Sequence, residues 1–172
     1  EKIPPSILIS GSGVDLEKFQ RKNNKNKKSE VNFILVARML YDKGIREYIE
    51  AAKIVKKSYK NAVFHLLGDI DKGNPSAIPI EIINTWSKQG IVNYYGMVED
   101  VVPFLENADV FVLPSYREGL SRSIIEAMAM ELPIITTDVP GCRETVIEKE
   151  NGLLVKPNNV TDLVKAMIFM IN

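Results

Sequence analysis

Short, continuous apolar runs alternate along this chain with segments whose apolar residues recur every three or four positions. The runs are Asn32–Ala37, Ala62–Leu67, Val92–Tyr95, Val110–Leu113, Ile134–Thr137 and Gly152–Val155. Each lacks the strict polar alternation of a half-exposed strand, and continuous runs of this length read as strands buried on both faces. Gly44–Ser58 is the clearest helix, because Ile45, Tyr48, Ile49, Ala52 and Val55 fall on one face. Pro79–Lys88, Glu99–Asn107, Ser121–Met130, Gly141–Glu148 and Thr161–Ile171 are the other predicted helices, with Thr161 and Asp162 supplying capping chemistry to the last. Strand and helix in alternation predict an α/β fold: a Rossmann-like, doubly wound parallel sheet of about six strands. Ligands of such sheets bind in the crevice at the carboxyl ends of the strands.

The 172 residues are 45% hydrophobic, which suits one domain with a sizeable core. A net charge of zero removes any global electrostatic argument for nucleic acid as partner. The single cysteine, Cys142, excludes an internal disulfide and fits a reducing compartment, so the expected location is cytoplasmic. No apolar run reaches the roughly 18 residues of a membrane span. Glu1–Pro5 reads as the middle of a longer chain, and Ala166–Ile171 stops inside an apolar helical pattern. The expected organisation is therefore an excised domain, with residues 1–30 as a lead-in segment and polar loop and residues 31–172 as the ligand-binding unit. Within the first, Gln20–Glu30 (QRKNNKNKKSE) reads as a solvated loop rather than a polyanion contact, since no apolar residue interleaves its lysines.

The densest chemistry lies in Arg117–Ala127, REGLSRSIIEA. An apolar strand leads into a glycine turn carrying Glu118, then a helix opening, with Glu126 about a turn and a half up that helix, roughly 8 Å further along its axis. Helix openings present free backbone N–H groups to anions. A carboxylate at each end of an anion site suits a ligand with hydroxyls on both sides of a phosphate, as in a nucleotide-sugar. Ser121 is also a plausible N-cap, and Arg122 is equally a phosphate contact or a surface cation. Arg38 ends the first strand and Lys43 opens the next helix, where a cation opposes the helix dipole and an anionic ligand would remove the conflict. From spacing alone the two are equally well read as surface cations. Asp69-Ile70-Asp71 has the D-x-D form of a metal site, but it continues a strand as a loop, and no metal is expected. His65, the only histidine, sits inside an apolar strand and reads as a packed core residue. Gly141, in a turn at the sheet's ligand edge, is expected to border the site.

Taken in order, these segments resemble the group 1 family of retaining glycosyltransferases, which have the two-domain GT-B fold. Glu118–Ala129 (EGLSRSIIEAMA) is similar to the family's paired-glutamate signature, Ala37–Gly44 (ARMLYDKG) to its phosphate-binding turn, and Gly13-Val14-Asp15 with Phe19 to its interdomain segment. Leu67-Gly68-Asp69, Tyr95-Gly96, Asp109–Ser115 and Asn151–Val155 follow in the family's order, so the resemblance runs from about Ser10 to Met167. It implies the carboxy-terminal, donor-binding domain of such an enzyme, one half of a GT-B fold, with the amino-terminal acceptor domain absent. It further implies that Arg38 and Lys43 hold the donor diphosphate and that Glu126 accepts bonds from the ribose hydroxyls. Glu118 contacts the transferred sugar and is the catalytic candidate. Gly119, Leu120 and Ser121 offer amides to the distal phosphate, and Val98 places backbone against the base. Gly13, with Gly11, allows backbone close to the ligand, although a flexible domain joint explains both glycines as well. The expected substrate is a nucleotide-diphosphate-sugar, a UDP-sugar first, with no cofactor and no metal. The expected partner is an acceptor glycan or lipid-linked sugar in bacterial surface polysaccharide or glycan synthesis, with the whole protein working in the cytoplasm or at the inner face of the cell membrane. A GT-B nucleotide-sugar epimerase and a non-catalytic nucleotide-binding module are the alternatives. The paired glutamates argue against the first. The second predicts binding that ignores the sugar.

Overall fold

The computed structural model describes residues 13–22 and 29–172. Gly11 and the lysine-rich centre of the predicted polar loop lie outside them. In chain order the elements are β1 (Val31–Val36), α1 (Ile45–Ser58), β2 (Ala62–Leu67), α2 (Ile80–Lys88), β3 (Asn93–Gly96), α3 (Val102–Asn107), β4 (Val110–Leu113), α4 (Arg122–Ala129), β5 (Ile134–Thr137), β6 (Gly152–Val155) and α5 (Val160–Ile171). The six strands form one parallel sheet in the order β3-β2-β1-β4-β5-β6. The order reverses direction between β1 and β4, and the crevice above that switch point is where ligands of open α/β sheets bind.

The continuous apolar runs become strands because helices cover both faces. Phe33 of β1 and Phe64 of β2 stack at 5.1 Å, and Tyr48 of α1 meets Phe64 edge-on at 5.7 Å. The Tyr48 hydroxyl, fully buried, lies 3.0 Å from the Phe33 carbonyl and 3.1 Å from that of His65. Its polar end is thus satisfied at the edges of two strands. The chain's end returns α5 to pack on α1. Phe19, from the lead-in segment, is buried in the same core, after a turn whose Asp15 carboxylate accepts from the Glu17 and Lys18 amides.

Four expectations need correction. The helix predicted over Gly141–Glu148 is a single 3-10 turn, Arg143–Thr145. Gly141 has φ +83°, outside the helical region, and the Asn151 side chain holds the following turn by accepting from Ile147 N (2.7 Å) and donating to Thr145 O (2.9 Å). The helix predicted from Glu99 starts at Val102, where Pro103 sits in the first turn, the position that tolerates a missing N–H. The last helix is capped by neither Thr161 nor Asp162: the Asn159 side chain accepts from the Asp162 amide at 2.9 Å. His65 is not fully packed. Along β2, Ala62, Phe64 and Leu66 are buried while Val63 and His65 are half-buried, because the six-residue α3 only partly covers that face.

His65 instead lines a recess of about 310 Å³ near the amino ends of β1 and β4, with Glu30, Asn32, Tyr95 and Phe104. Nδ1 lies 3.1 Å from the Tyr95 hydroxyl and Nε2 lies 3.0 Å from Asn32 Oδ1. The Asn32 amide group donates to Asp109 at 3.1 Å. Its Oδ1 is therefore the acceptor, Nε2 carries the hydrogen, and Nδ1 accepts from tyrosine. Burial holds this imidazole below its ordinary pKa, against the opposing pull of the Glu30 and Asp109 charges. The unfolded chain then takes up the proton first. Stability is complete above the unfolded value of about 6.5 and is lost as pH falls below it toward the folded value. Between about pH 7.5 and about pH 5.5, the urea midpoint of the wild type should fall further than that of His65→Gln. Equal falls would assign the pH dependence to other groups.

Candidate functional site

The crevice above the β1/β4 switch is assembled from two turns. The first leaves β1 and passes through Arg38 to a 3-10 turn, Tyr41–Lys43, before Gly44 opens α1. The second leaves β4 and carries Ser115–Ser121 into α4. They are bonded to each other through backbone. Asp42 O accepts from Tyr116 N at 2.8 Å and from Ser115 Oγ at 3.1 Å. Gly44 has φ +69°, and a Cβ there would stand 2.0 Å from Pro114 O. Only glycine allows that left-handed turn and that approach together.

This contact brings Lys43 to Glu118. Lys43 Nζ donates to Glu118 Oε1 at 2.8 Å, and the two side chains are only 15% and 13% exposed. The anion that answers the cation at this helix opening is thus a carboxylate of the chain itself. Cys142 is buried within electrostatic reach of the pair. Burial pushes its thiol pKa up, bonds with Thr136 and Thr137 pull it down, and Glu118 and Lys43 act in opposite directions. Beside Asp42, burial and a bond to Glu47 push the Tyr116 hydroxyl up to about 12.

The Glu118 turn is also wedged from the β5 side. A Cβ on Gly141 would stand 1.8 Å from Gly119 O and 2.3 Å from Glu118 O, so Gly141 packs against the Glu118 turn. Thr137 Oγ donates to Ser115 O, fastening the same turn to β5. Gly119 itself faces open space. Ser121 has the extended backbone of an N-cap, but its hydroxyl meets Ser123 Oγ at 3.3 Å and makes no cap bond to a helix amide. Glu126 is 12% exposed and accepts from Arg122 Nε at 2.9 Å, with Arg122 itself 74% exposed. The structure thus joins Lys43 to Glu118, and Glu126 to the cation four residues before it.

The other predicted residues stand further out. Arg38 is largely exposed and donates to Asp71 Oδ2 at 3.0 Å, in a recess of about 530 Å³ formed with Asp69, Ile70 and Lys72. Asp69 Oδ1 accepts its neighbour's amide, Ile70 N, at 2.8 Å. Among the described residues no group of three or more His, Cys, Asp or Glu side chains gathers at metal-binding distance. Val98 follows β3 and rests half-buried on the core. Gly13 has φ +70° and nothing within 4 Å of where its Cβ would be. Sequence reasoning singled out Asp71 only as half of a metal motif and missed it as the partner of Arg38, thirty-three positions away. The Arg122–Glu126 pair was within reach, since i,i+4 spacing places it on one helix face.

A family model described as "Glycosyl transferases group 1" matches residues 16–172. The chain belongs to this family. The sequence is 37% identical over 167 residues to the N,N'-diacetylbacillosaminyl-diphospho-undecaprenol alpha-1,3-N-acetylgalactosaminyltransferase of Campylobacter jejuni, covering 91% of this chain and 42% of that protein. It is 32% identical over 170 residues to the capsular polysaccharide biosynthesis glycosyltransferase CapM of Staphylococcus aureus, covering 95% and 44%. This group 1 chain thus spans less than half the length of these curated relatives. Its fold matches that of sucrose-phosphate synthase from Thermosynechococcus elongatus with a TM-score of 0.79 at 26% identity, over 94% of this chain and 42% of that one. Its solved neighbours are GT-B glycosyltransferases, which makes the Rossmann-like sheet one half of that architecture.

Two glycines of this group 1 site should behave oppositely. Gly141→Ala forces a left-handed alanine against Gly119 and Glu118 backbone and should cost about 2 kcal/mol or more. Gly119→Ala should stay within about 0.5 kcal/mol of wild type. Chemical denaturation of both variants checks the pair, and similar losses would remove the wedge.

Proposed function

We propose that this chain is the carboxy-terminal, donor-binding half of a retaining glycosyltransferase that moves a sugar from a nucleotide diphosphate to an acceptor in bacterial surface polysaccharide or glycan synthesis. The observation that carries this reading is the junction of the Lys43 turn with the Glu118 turn at the sheet's switch point. It supports the reading by joining a cation at a helix opening to the carboxylate of the neighbouring turn, with Glu126 further along the helix that this turn opens. In this reading Lys43 and Arg38 take the diphosphate, Arg38 as a planar fork and Lys43 as a point charge. The amides of Gly119, Leu120 and Ser121 face the distal phosphate. Glu126 accepts from the ribose, Glu118 from the transferred sugar, and the backbone at Val98 meets the base. Gly13 lies where the lead-in segment approaches the ligand. Stabilising the departing diphosphate is the main catalytic demand, and preorganised cations and amides meet it. The names of the two relatives, one acting on a lipid-linked sugar and one in capsule synthesis, support the pathway class and a lipid-linked or glycan acceptor. A UDP-sugar is the donor we favour.

The test is a panel of nucleotide-sugars scored by thermal shift. A donor at 100 times its Kd should stabilise the chain by about 2.7 kcal/mol. Stabilisation by a nucleoside diphosphate but by no sugar form would favour a plain nucleotide-binding module. Glu126→Ala should weaken UDP and its sugar conjugates alike, by about 1.5–3 kcal/mol, because its partner is common to both. Unchanged calorimetric affinity would take Glu126 out of the site.

Donor affinity should also be the same in chelator and in magnesium or manganese. The motive is a diphosphate site built on two side-chain cations and a helix opening. A requirement for metal would return Asp69 and Asp71 to consideration as ligands.

A further inference from the structure

We propose that Glu118 competes with the donor's phosphate for Lys43, so that the pair selects for sugar-bearing nucleotides over the nucleoside diphosphate left after transfer. This rests on the donor-site reading above and adds a discrimination to it. The two groups are bonded at 2.8 Å and mostly buried. Asp42, Thr137 and Gly141 hold the backbone of the Glu118 turn from two sides, so the carboxylate leaves Lys43 only by a swing of its own side chain. A phosphate oxygen reaching Lys43 must displace the carboxylate or share the cation with it. Either way, a nucleoside diphosphate leaves a carboxylate with little solvent close to a second anion, and such a group is costly unless it finds another donor.

A sugar on the diphosphate changes the balance. Its hydroxyls are hydrogen-bond donors, and a displaced carboxylate can accept from them. Lys43 then exchanges a carboxylate for a phosphate while Glu118 exchanges an ammonium for hydroxyls, and no charge is left unpartnered. The nucleoside diphosphate supplies only the first half of that exchange. Glu126 is not placed to discriminate in this way, because its partner Arg122 is exposed and can be resolvated when released.

Two probes test the exchange, inorganic pyrophosphate and UDP, titrated calorimetrically into wild type and Glu118→Gln. Glutamine removes the competing charge and keeps the side chain's length. Both probes should bind the variant more tightly than wild type, by about tenfold for a charge-assisted bond released to the ligand. Glu118→Asp retains the charge at shorter reach and should fall between them, and it stands in if the glutamine variant does not fold. Equal or weaker binding of both probes by Glu118→Gln, with wild type binding measurably, overturns the exchange and leaves the donor-site reading intact. Absence of pyrophosphate and UDP binding in wild type and variants alike, together with no stabilisation by any member of the nucleotide-sugar panel, overturns both.

Discussion

The close approach of the Lys43-Gly44 turn to the end of β4 is the contact on which the site depends. Gly44 lies against the Pro114 carbonyl, and Asp42 O accepts two bonds from the β4 turn. A left-handed residue and a backbone-to-backbone contact are both needed, and only glycine supplies them without strain. The contact sits at the one place where adjacent strands, β1 and β4, send their chains in opposite directions along the sheet. Neighbouring connections there diverge and leave a crevice, so residues that bridge it bring together parts of the chain 75 positions apart. Lys43 and Glu118 meet because the backbone beneath them meets first.

The sequence was most legible where one physical signal dominated. Four of the six strands lie where the apolar runs placed them, because burial on both faces leaves little room for polar residues. The amphipathic face of α1 was equally clear, and its five marker residues are all buried. Legibility fell where local and tertiary terms competed. The 141–148 segment has helical spacing, yet Gly141 is needed in a left-handed turn against Gly119, and the tertiary contact prevails over propensity. His65 was misread because periodicity shows which residues could be buried but not how long the covering helix is.

The candidate site was legible as a set of residues and less so as a set of pairs. Lys43, Glu118 and Glu126 could be named from their turns, and Gly141 from its place at the sheet edge. Their partners could not be, with one exception. Arg122 and Glu126 share a helix, where i,i+4 geometry is local. Arg38–Asp71 and Lys43–Glu118 are long-range pairs whose existence depends on which loops the sheet order brings together. The expectation that Lys43 would face an uncompensated helix dipole was therefore incomplete. The dipole argument was sound, but the compensating anion came from another strand's turn.

The energetics of such a pair differ with its exposure. Arg38–Asp71 is open to water, and exposed pairs of this kind contribute about 0–1 kcal/mol. Lys43–Glu118 is mostly withdrawn from water, where attraction is stronger but desolvation of two ions offsets much of it. Its net contribution to folding can be small while removal of one partner costs about 3–5 kcal/mol. That asymmetry matters more for binding than for folding. A ligand that takes one member must satisfy the other, or it bears most of the cost of breaking the pair. In the exchange proposed above, the buried pair therefore adds little to folding and favours ligands that carry an anion and a hydrogen-bond donor side by side.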